Sequence, residues 1–315
     1  MGVEEIIWND ATLVPSGGGG DLFHDCSDES DEEVPEKIAA ESQEGFAWFV
    51  RGCKSIIKAA KDRMGDTFSR PEDVSKQHQL SNAIPYQDSF EYYNLLECQQ
   101  RDIIVSKIDD NIFRYTLRQF PNLKRVVVTP AAYGYLFEPL YRTPMIRSFP
   151  YEFIYSVPRG WPTPSSRSEW AFAMPWVDDD GVEEDGSLYH GFRLVTKVLA
   201  EEKHTVTELM LDAHQLNTGI NHFTLNRGTE ECDSFCETVR RPGFQKLQLS
   251  LLVGFYLGED YDIYDKGSLY DALYGTTDMR HFSFHTDLAT DRRSWTIDMY
   301  EYTSLFNFFP INRWQ

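Results

Sequence analysis

The 315-residue sequence predicts an α/β fold in which helix–strand units repeat irregularly and the strands run parallel. One observation is a template that fits the chain five times: an apolar residue, two variable residues, an apolar residue, one variable residue and a last apolar residue. The other observation is that a helical segment and a turn precede each match after the first. Each such unit must bury one face against its neighbours, which predicts one sheet of stacked units.

The template has the spacing of leucine-rich repeats, and its closing alternation is that of a strand with one buried face. Its central positions lie 120, 83, 38 and 35 residues apart, so the repeat is near regular only in the C-terminal part. We therefore predict an irregular leucine-rich-repeat-like solenoid. The matches are Val3, Ile6 and Trp8; Leu123, Val126 and Val128; Val206, Leu209 and Leu211; Phe244, Leu247 and Leu249; and Met279, Phe282 and Phe284.

Helices are predicted before the later strands from apolar residues at helical spacing. Asp110 is the expected N-cap of the first of them, and Pro121 ends it. Residues 304–309 resemble the helix of a further, truncated unit. The predicted helices before the strands cover residues 110–120, 191–202, 233–240 and 268–274.

A helical insert, residues 45–120, separates the first two strands. Its first helix has an apolar stripe from Phe46 to Met64 and an opposite basic stripe that includes Arg51 and Lys58. We interpret the apolar stripe as core, and a membrane-surface helix is the alternative. A second helix is expected over 89–106. Residues 65–87 are expected to connect the two helices because few of them are apolar.

The formal charge of −20 is concentrated in two tracts. Residues 21–44 contain ten acidic residues and one basic residue, and residues 178–185 contain six acidic residues and no basic one. We predict acidic loops at 16–44, which we expect to be disordered, and at 176–188. Ser27 and Ser30 within the first tract are candidates for phosphorylation by an acid-directed kinase, and a merely solvated tail is the alternative.

The acidic balance excludes a surface that coats nucleic acid or an anionic membrane. The chain contains no apolar run long enough to span a membrane and no signal peptide, which predicts an intracellular protein, cytoplasmic or nuclear. We predict a single domain over residues 1–315. Its segments are the acidic loop, the helical insert, a strand with a Pro- and aromatic-rich stretch (121–175), the second acidic loop, and three helix–strand repeats with a truncated fourth helix (189–315).

The Pro- and aromatic-rich stretch supports two interpretations. Its rings are typical of an extended segment held by core packing. Together with Arg142, Arg147 and Arg159 they are also typical of a recognition surface.

No motif for catalysis, a cofactor or a metal is found, and we expect a protein that is not an enzyme and needs no cofactor. The five cysteines are scattered, and Cys232 and Cys236 lack a second Cys/His pair with zinc spacing. His281 and His285 share one face of a strand, but two histidines without a third ligand do not define a metal site.

Several sequence runs carry a resemblance to a known family. They are Phe120–Leu123 with Val126–Pro130, Leu140–Pro150, Pro158–Pro162 and the opening Ile6–Asp10. The chain resembles fungal F-box proteins with leucine-rich-repeat-like C-terminal regions over nearly its whole length. This resemblance implies an interaction scaffold similar to the substrate-recognition region of a ubiquitin-ligase receptor.

The F-box itself is not found in this sequence, which opens at the first strand. We therefore expect no direct binding to a Skp-type adaptor by this chain alone.

The predicted binding surface is the outward face of the strands, because template positions are buried and those between them face outward. Its partner would be a protein of unknown identity. The alternative is a stand-alone acidic module that binds a basic protein through the acidic loops. The strand-face residues are Lys124, Arg125 and Val127; Thr207, Glu208 and Met210; Gln245, Lys246 and Gln248; and Arg280, His281 and Ser283.

Overall fold

The computed structural model describes residues 2–14, 40–64, 70–158, 160–162, 186–214, 216, 218–225, 228–252, 269, 273–286 and 294–298. The chain, which we predicted to be one domain, forms two compact units. The first unit comprises Met1–Asp10, Lys107–Pro130 and Gly160–Gln315, and the second comprises Ala11–Ser106 and Ala131–Arg159.

Helices and strands alternate along the chain in the order that the template predicts for the first unit. The elements are β1 (Glu5–Asn9), α1 (Ala40–Met64), α2 (Pro71–Ser81), α3 (Tyr86–Val105), α4 (Ile108–Gln119), β2 (Arg125–Thr129), α5 (Pro144–Arg147), α6 (His190–Glu201), β3 (Glu208–Leu211), β4 (Ile220–Asn221), α7 (Glu230–Arg240), β5 (Lys246–Leu252), β6 (His281–Thr286) and β7 (Ser294–Asp298).

One sheet with the order β1-β2-β3-β5-β6-β7 organises the first unit. The pairs from β1 to β6 are parallel, which confirms an α/β fold with a parallel-strand sheet. The central template positions are direct cross-strand neighbours: Ile6 pairs with Val126, Val126 with Leu209, Leu209 with Leu247, and Leu247 with Phe282. The spacing of the template in the sequence varies from one helix–strand repeat to the next, and the strands nevertheless pair in one constant register.

The inner face of this sheet packs against α4, α6 and α7. Leu209 and Phe282 on the strands are fully buried, as are Phe192 and Phe235 on α6 and α7. Burial of a side chain of this size stabilises the fold by roughly 1.5–3 kcal/mol. These three helices thus lie on one face of the sheet, and the alternate strand residues belong to the other face.

Two elements depart from the prediction of parallel strands alone. β7 pairs antiparallel with β6, because residues 287–293 are too few for the crossover that a parallel strand needs. β4 is a short strand that pairs with the last two residues of β5. Of the helix predicted for 268–274, the structure describes Leu269 and Leu273, which are helical and buried, and Tyr274, which lies in a turn and is exposed. The helix predicted at 304–309 lies outside the described residues.

The start of α4 also differs from its prediction. The helix begins at Ile108, and its N-cap is Lys107 with a φ of 54°. Asp110 therefore does not cap the helix but accepts a hydrogen bond from the Arg114 guanidinium within it. Arg114 also binds Glu201 at 2.6 Å, which ties α4 to α6.

A threonine cap begins α7. The Thr229 hydroxyl accepts a hydrogen bond from the Cys232 N–H at 3.1 Å and donates one to the Thr224 carbonyl at 2.9 Å. We expect Thr229→Ala to lower the free energy of unfolding by about 1 kcal/mol, since one helix N–H loses its acceptor. Urea denaturation measures this loss. Thr229→Ser keeps both hydrogen bonds and should retain most of the stability; an equal loss in both variants would contradict the capping role.

In the second unit, α1 has the two faces that its sequence predicts. Phe49 and Cys53 are fully buried, and Lys54 and Lys58 are exposed. α3, predicted for 89–106, runs from Tyr86 to Val105. The prediction of a plain connection over 65–87 is wrong, because α2 lies within it. α2 shows no apolar periodicity since it buries polar residues, Asp73 and Lys76.

Several aromatic residues of the Pro-rich stretch form part of the core of this unit. Phe153 is buried and stacks on Tyr155 with ring centroids 4.6 Å apart. Phe149 meets both rings edge-on, and Tyr92 of α3 joins the cluster. Of the two interpretations of this stretch, core packing therefore applies to these rings.

The acidic tracts fall mostly outside the described residues. Residues 15–39, with Ser27 and Ser30, and residues 163–185 are not described. The boundary of the first predicted loop is corrected, because α1 already begins at Ala40. In the second predicted loop, residues 186–188 belong to a 3-10 turn that leads into α6.

Candidate functional site

The outer face of the sheet presents a row of four charged residues and one histidine from neighbouring strands. Glu5, Arg125, Glu208, Lys246 and His281 occupy one register position on β1, β2, β3, β5 and β6. The Arg125 guanidinium binds Glu208 at 2.7 Å and Glu5 at 3.3 Å. These two carboxylates raise the pKa of Arg125, so its charge is fixed at physiological pH. We call these five residues the charged row.

A second row lies beside the charged row, two residues further along each strand, and changes from apolar to polar. It consists of Ile7, Val127, Met210, Gln248 and Ser283. Ile7 is 41% exposed, and Met210 and Gln248 are half-buried. Val127 and Ser283, which strand alternation predicts to be exposed, are buried. Val127 lies between the larger residues Ile7 and Met210 on the flanking strands, and Ser283 is small and lies beside Gln248, which reduces their exposure.

The residues just before the strands form a main-chain row. The carbonyl of Lys124 accepts hydrogen bonds from the N–H groups of Thr207 and Glu208, at 2.8 and 2.9 Å. The Thr207 carbonyl does the same for Gln245 and Lys246. In the same way, the Glu4 carbonyl accepts hydrogen bonds from two N–H groups at the start of β2, and the Gln245 carbonyl accepts two at the start of β6. Four of the predicted binding residues thus occupy equivalent positions in successive helix–strand repeats, namely Lys124, Thr207, Gln245 and Arg280.

The structure therefore brings all twelve predicted strand-face residues to one sheet, ten of them at least partly exposed. The charge alternates in sign over Glu5, Arg125, Glu208 and Lys246, and the exposed apolar side chain of Ile7 lies next to this row. Such a surface fits a partner with complementary charges and an apolar contact, as protein interfaces commonly provide.

The thiols and histidines give no further site in the part of the chain that is described. No group of three or more His, Cys, Asp or Glu residues there could hold a metal ion. The Sγ atoms of Cys232 and Cys236 lie 3.9 Å apart, and their mutual hydrogen bond raises the pKa of Cys232. Burial raises the pKa of Cys53 to about 12, so this thiol is unreactive.

Sequence analysis missed a buried carboxylate at the end of β1. Asp10 accepts hydrogen bonds from the Trp161 indole at 2.8 Å and from the N–H groups of Gly191 and Phe192 at 2.5 and 3.4 Å. Burial raises its pKa from 3.8 to about 6, although each of these donors acts in the opposite direction. The carboxylate holds the N-terminus of α6 and the indole against β1, which is a structural role.

Asp10 gives the folding stability a pH dependence. Because its folded pKa lies above its unfolded value, its contribution is largest below pH 3.8 and is lost as the pH rises to about 6. Relative to Asp10→Asn, the wild type should gain up to about 3 kcal/mol in the free energy of unfolding from pH 7 to pH 4. Chemical denaturation across this range measures the difference. A difference that stays constant across this pH range would contradict the raised pKa of Asp10.

No helix within the described ranges has the length and apolar content needed to cross a membrane. Protein-family models, curated proteins and solved structures gave no significant match to the chain.

Proposed function

We propose that this protein is a non-enzymatic interaction scaffold that binds a partner protein through the outer face of its sheet. The observation that carries the proposal is the charged row, in which Glu5, Arg125, Glu208 and Lys246 alternate in charge at one register position and His281 follows on the next strand. The second row adds an apolar contact at Ile7 and Met210. A surface assembled from separate strands is rigid, which limits the entropy lost on binding.

The finer architecture that we propose is the irregular leucine-rich-repeat-like solenoid. Two features support it: template positions that are direct cross-strand neighbours, and main-chain carbonyls that each accept two N–H groups of the following unit. By the sequence resemblance to F-box proteins, we further propose that this surface corresponds to the substrate-recognition region of a ubiquitin-ligase receptor, in a sequence in which the F-box itself is not found.

Photo-crosslinking tests the location of the binding surface. A benzoylphenylalanine at position 248, in the centre of the sheet, should crosslink to the partner in cells, and one at position 91 on the exposed side of α3 should not. Lys246→Glu combined with Met210→Asp should reduce capture of the crosslinked partner at least tenfold, because both changes lie beside position 248. Glu91→Lys is the matched control.

The acidic-module alternative makes the opposite prediction. Deletion of residues 21–44 should leave the crosslinked partner unchanged if the sheet face binds it. Loss of capture on this deletion, with full capture by the Lys246→Glu and Met210→Asp variant, would contradict the proposal.

A further inference from the structure

A cleft of about 410 Å³ opens within the second unit, whereas the strands that form the proposed interaction surface belong to the first unit. Its walls come from α1, α2 and the Pro- and aromatic-rich stretch between residues 133 and 157. This volume lies in the range of about 300–1,000 Å³ that is typical of small-molecule sites. The cleft also combines apolar walls with a few charged groups, as such sites do.

A buried ammonium group lines the cleft. The Lys76 side chain is only 5% exposed, and its Nζ binds the Glu138 carboxylate at 3.2 Å. An ammonium has three N–H donors, and within the described residues this ion pair occupies one of them. Glu138 is 45% exposed, so it screens the buried charge only in part. A burial of this degree is costly for a lysine unless its charge is matched.

Aromatic rings supply most of the wall. The Tyr133 and Tyr155 hydroxyls lie 2.5 Å apart, and burial raises the pKa of Tyr133 to about 12 and also raises the pKa of Tyr155. Both phenols therefore stay neutral at physiological pH and add no negative charge to the cleft. The rings that line it are those of Tyr133, Phe137, Phe149, Tyr151, Phe153 and Tyr155.

Two arginines add further positive charge to the cleft. Arg142 and Arg147 line it, are exposed, and have no ion-pair partner in the described part of the chain. With Lys76 they outnumber Glu138, which is the one acidic side chain among the lining residues. We propose that this cleft binds a small organic anion with a flat aromatic body, whose acidic group meets Lys76 and whose rings lie against the aromatic wall.

Two fluorescent probes that differ in one acidic group test this proposal. 8-Anilino-1-naphthalenesulfonate carries a sulfonate, and N-phenyl-1-naphthylamine is the same ring system without it. The sulfonate probe should bind the full chain with one site and at least tenfold more tightly than the neutral probe. 2-Naphthoate should displace it and 2-naphthamide should not. Binding at several sites, or equal displacement by acid and amide, would overturn the proposal.

Variants locate the site. Lys76→Met should weaken binding of the sulfonate probe about tenfold or more and leave the neutral probe unchanged, since a charge-assisted hydrogen bond to a buried group is lost. Glu138→Gln should strengthen sulfonate binding about two- to fivefold, because it removes the competing carboxylate. This gain of affinity distinguishes a lost contact from a damaged fold. Phe137→Leu should weaken both probes alike.

The control is a second basic surface on α1, a depression lined by Lys54, Lys58 and Lys61. Lys58→Met should leave the affinity for the sulfonate probe within twofold of wild type. If this variant lowers the affinity and Lys76→Met does not, the probe binds on α1 and the proposed cleft is wrong.

Discussion

Replacing Asp10 by Ala should lower the free energy of unfolding by about 3 kcal/mol at pH 7, because three buried N–H groups lose their acceptor. This loss is smaller than the summed free-energy cost of three unpaired buried donors, because the variant also removes a carboxylate whose burial is unfavourable. The Trp161 indole, 1% exposed, should become more accessible to water. Urea denaturation followed by tryptophan fluorescence measures both effects.

An exposed aspartate provides the control for this variant. Asp102→Ala on α3 should change the free energy of unfolding by less than about 0.5 kcal/mol. Equal stability of the Asp10→Ala and Asp102→Ala variants would show that the N-terminus of α6 does not depend on the carboxylate.

Gly219→Ala should also destabilise the first unit, by about 3 kcal/mol, since there is no space for a methyl group. A Cβ at this position would lie 2.4–2.6 Å from the backbone atoms of Leu251. Backbone atoms of a paired strand cannot move without breaking the β4–β5 pairing at Ile220 and Leu251. Overpacking that moves a backbone costs more than repacking of a side chain.

Gly275→Ala is a matched control for this steric effect. A Cβ there would approach the Arg240 side chain at 2.8 Å, and that flexible side chain can move aside. We expect a loss below about 1 kcal/mol, measured in the same denaturation experiment. A similar loss in both glycine variants would contradict the backbone clash at Gly219.

The template and the helix before each strand were sufficient to predict the parallel strands. Strand alternation predicted the face on which each side chain lies, although Val127 and Ser283 are buried on the outward face. Leu209 and Leu247 are predicted as buried neighbours from spacing alone, and they pair directly. This works because strand alternation has a period of two, so a local pattern determines which face each side chain occupies. α6 is predictable from a local pattern of a different period, 3.6 residues, and its apolar residues pack on the sheet, as do those of α7.

Features that depend on distant contacts could not be predicted in this way. The partners of Asp10, Trp161 and Gly191, lie 151 and 181 residues away in sequence, and an aspartate after a strand otherwise suggests an exposed turn. Lys76 on a polar helix suggests a solvated side chain, yet it is buried beside Glu138, 62 residues away. Pro71 followed by Glu72 and Asp73 was the one local sign that α2 begins there.

The main-chain row before the strands also bears on how such a chain can change in length. Each junction uses one carbonyl and two N–H groups, and no side chain takes part in these bonds. A duplicated or deleted helix–strand unit would therefore meet its neighbours through the same bonds, whatever its residues. Insertions between junctions are equally compatible: residues 11–106 lie between β1 and α4 in sequence, yet β1 and β2 pair over five residues. The fold can thus acquire whole segments by genetic insertion without changing how its units join.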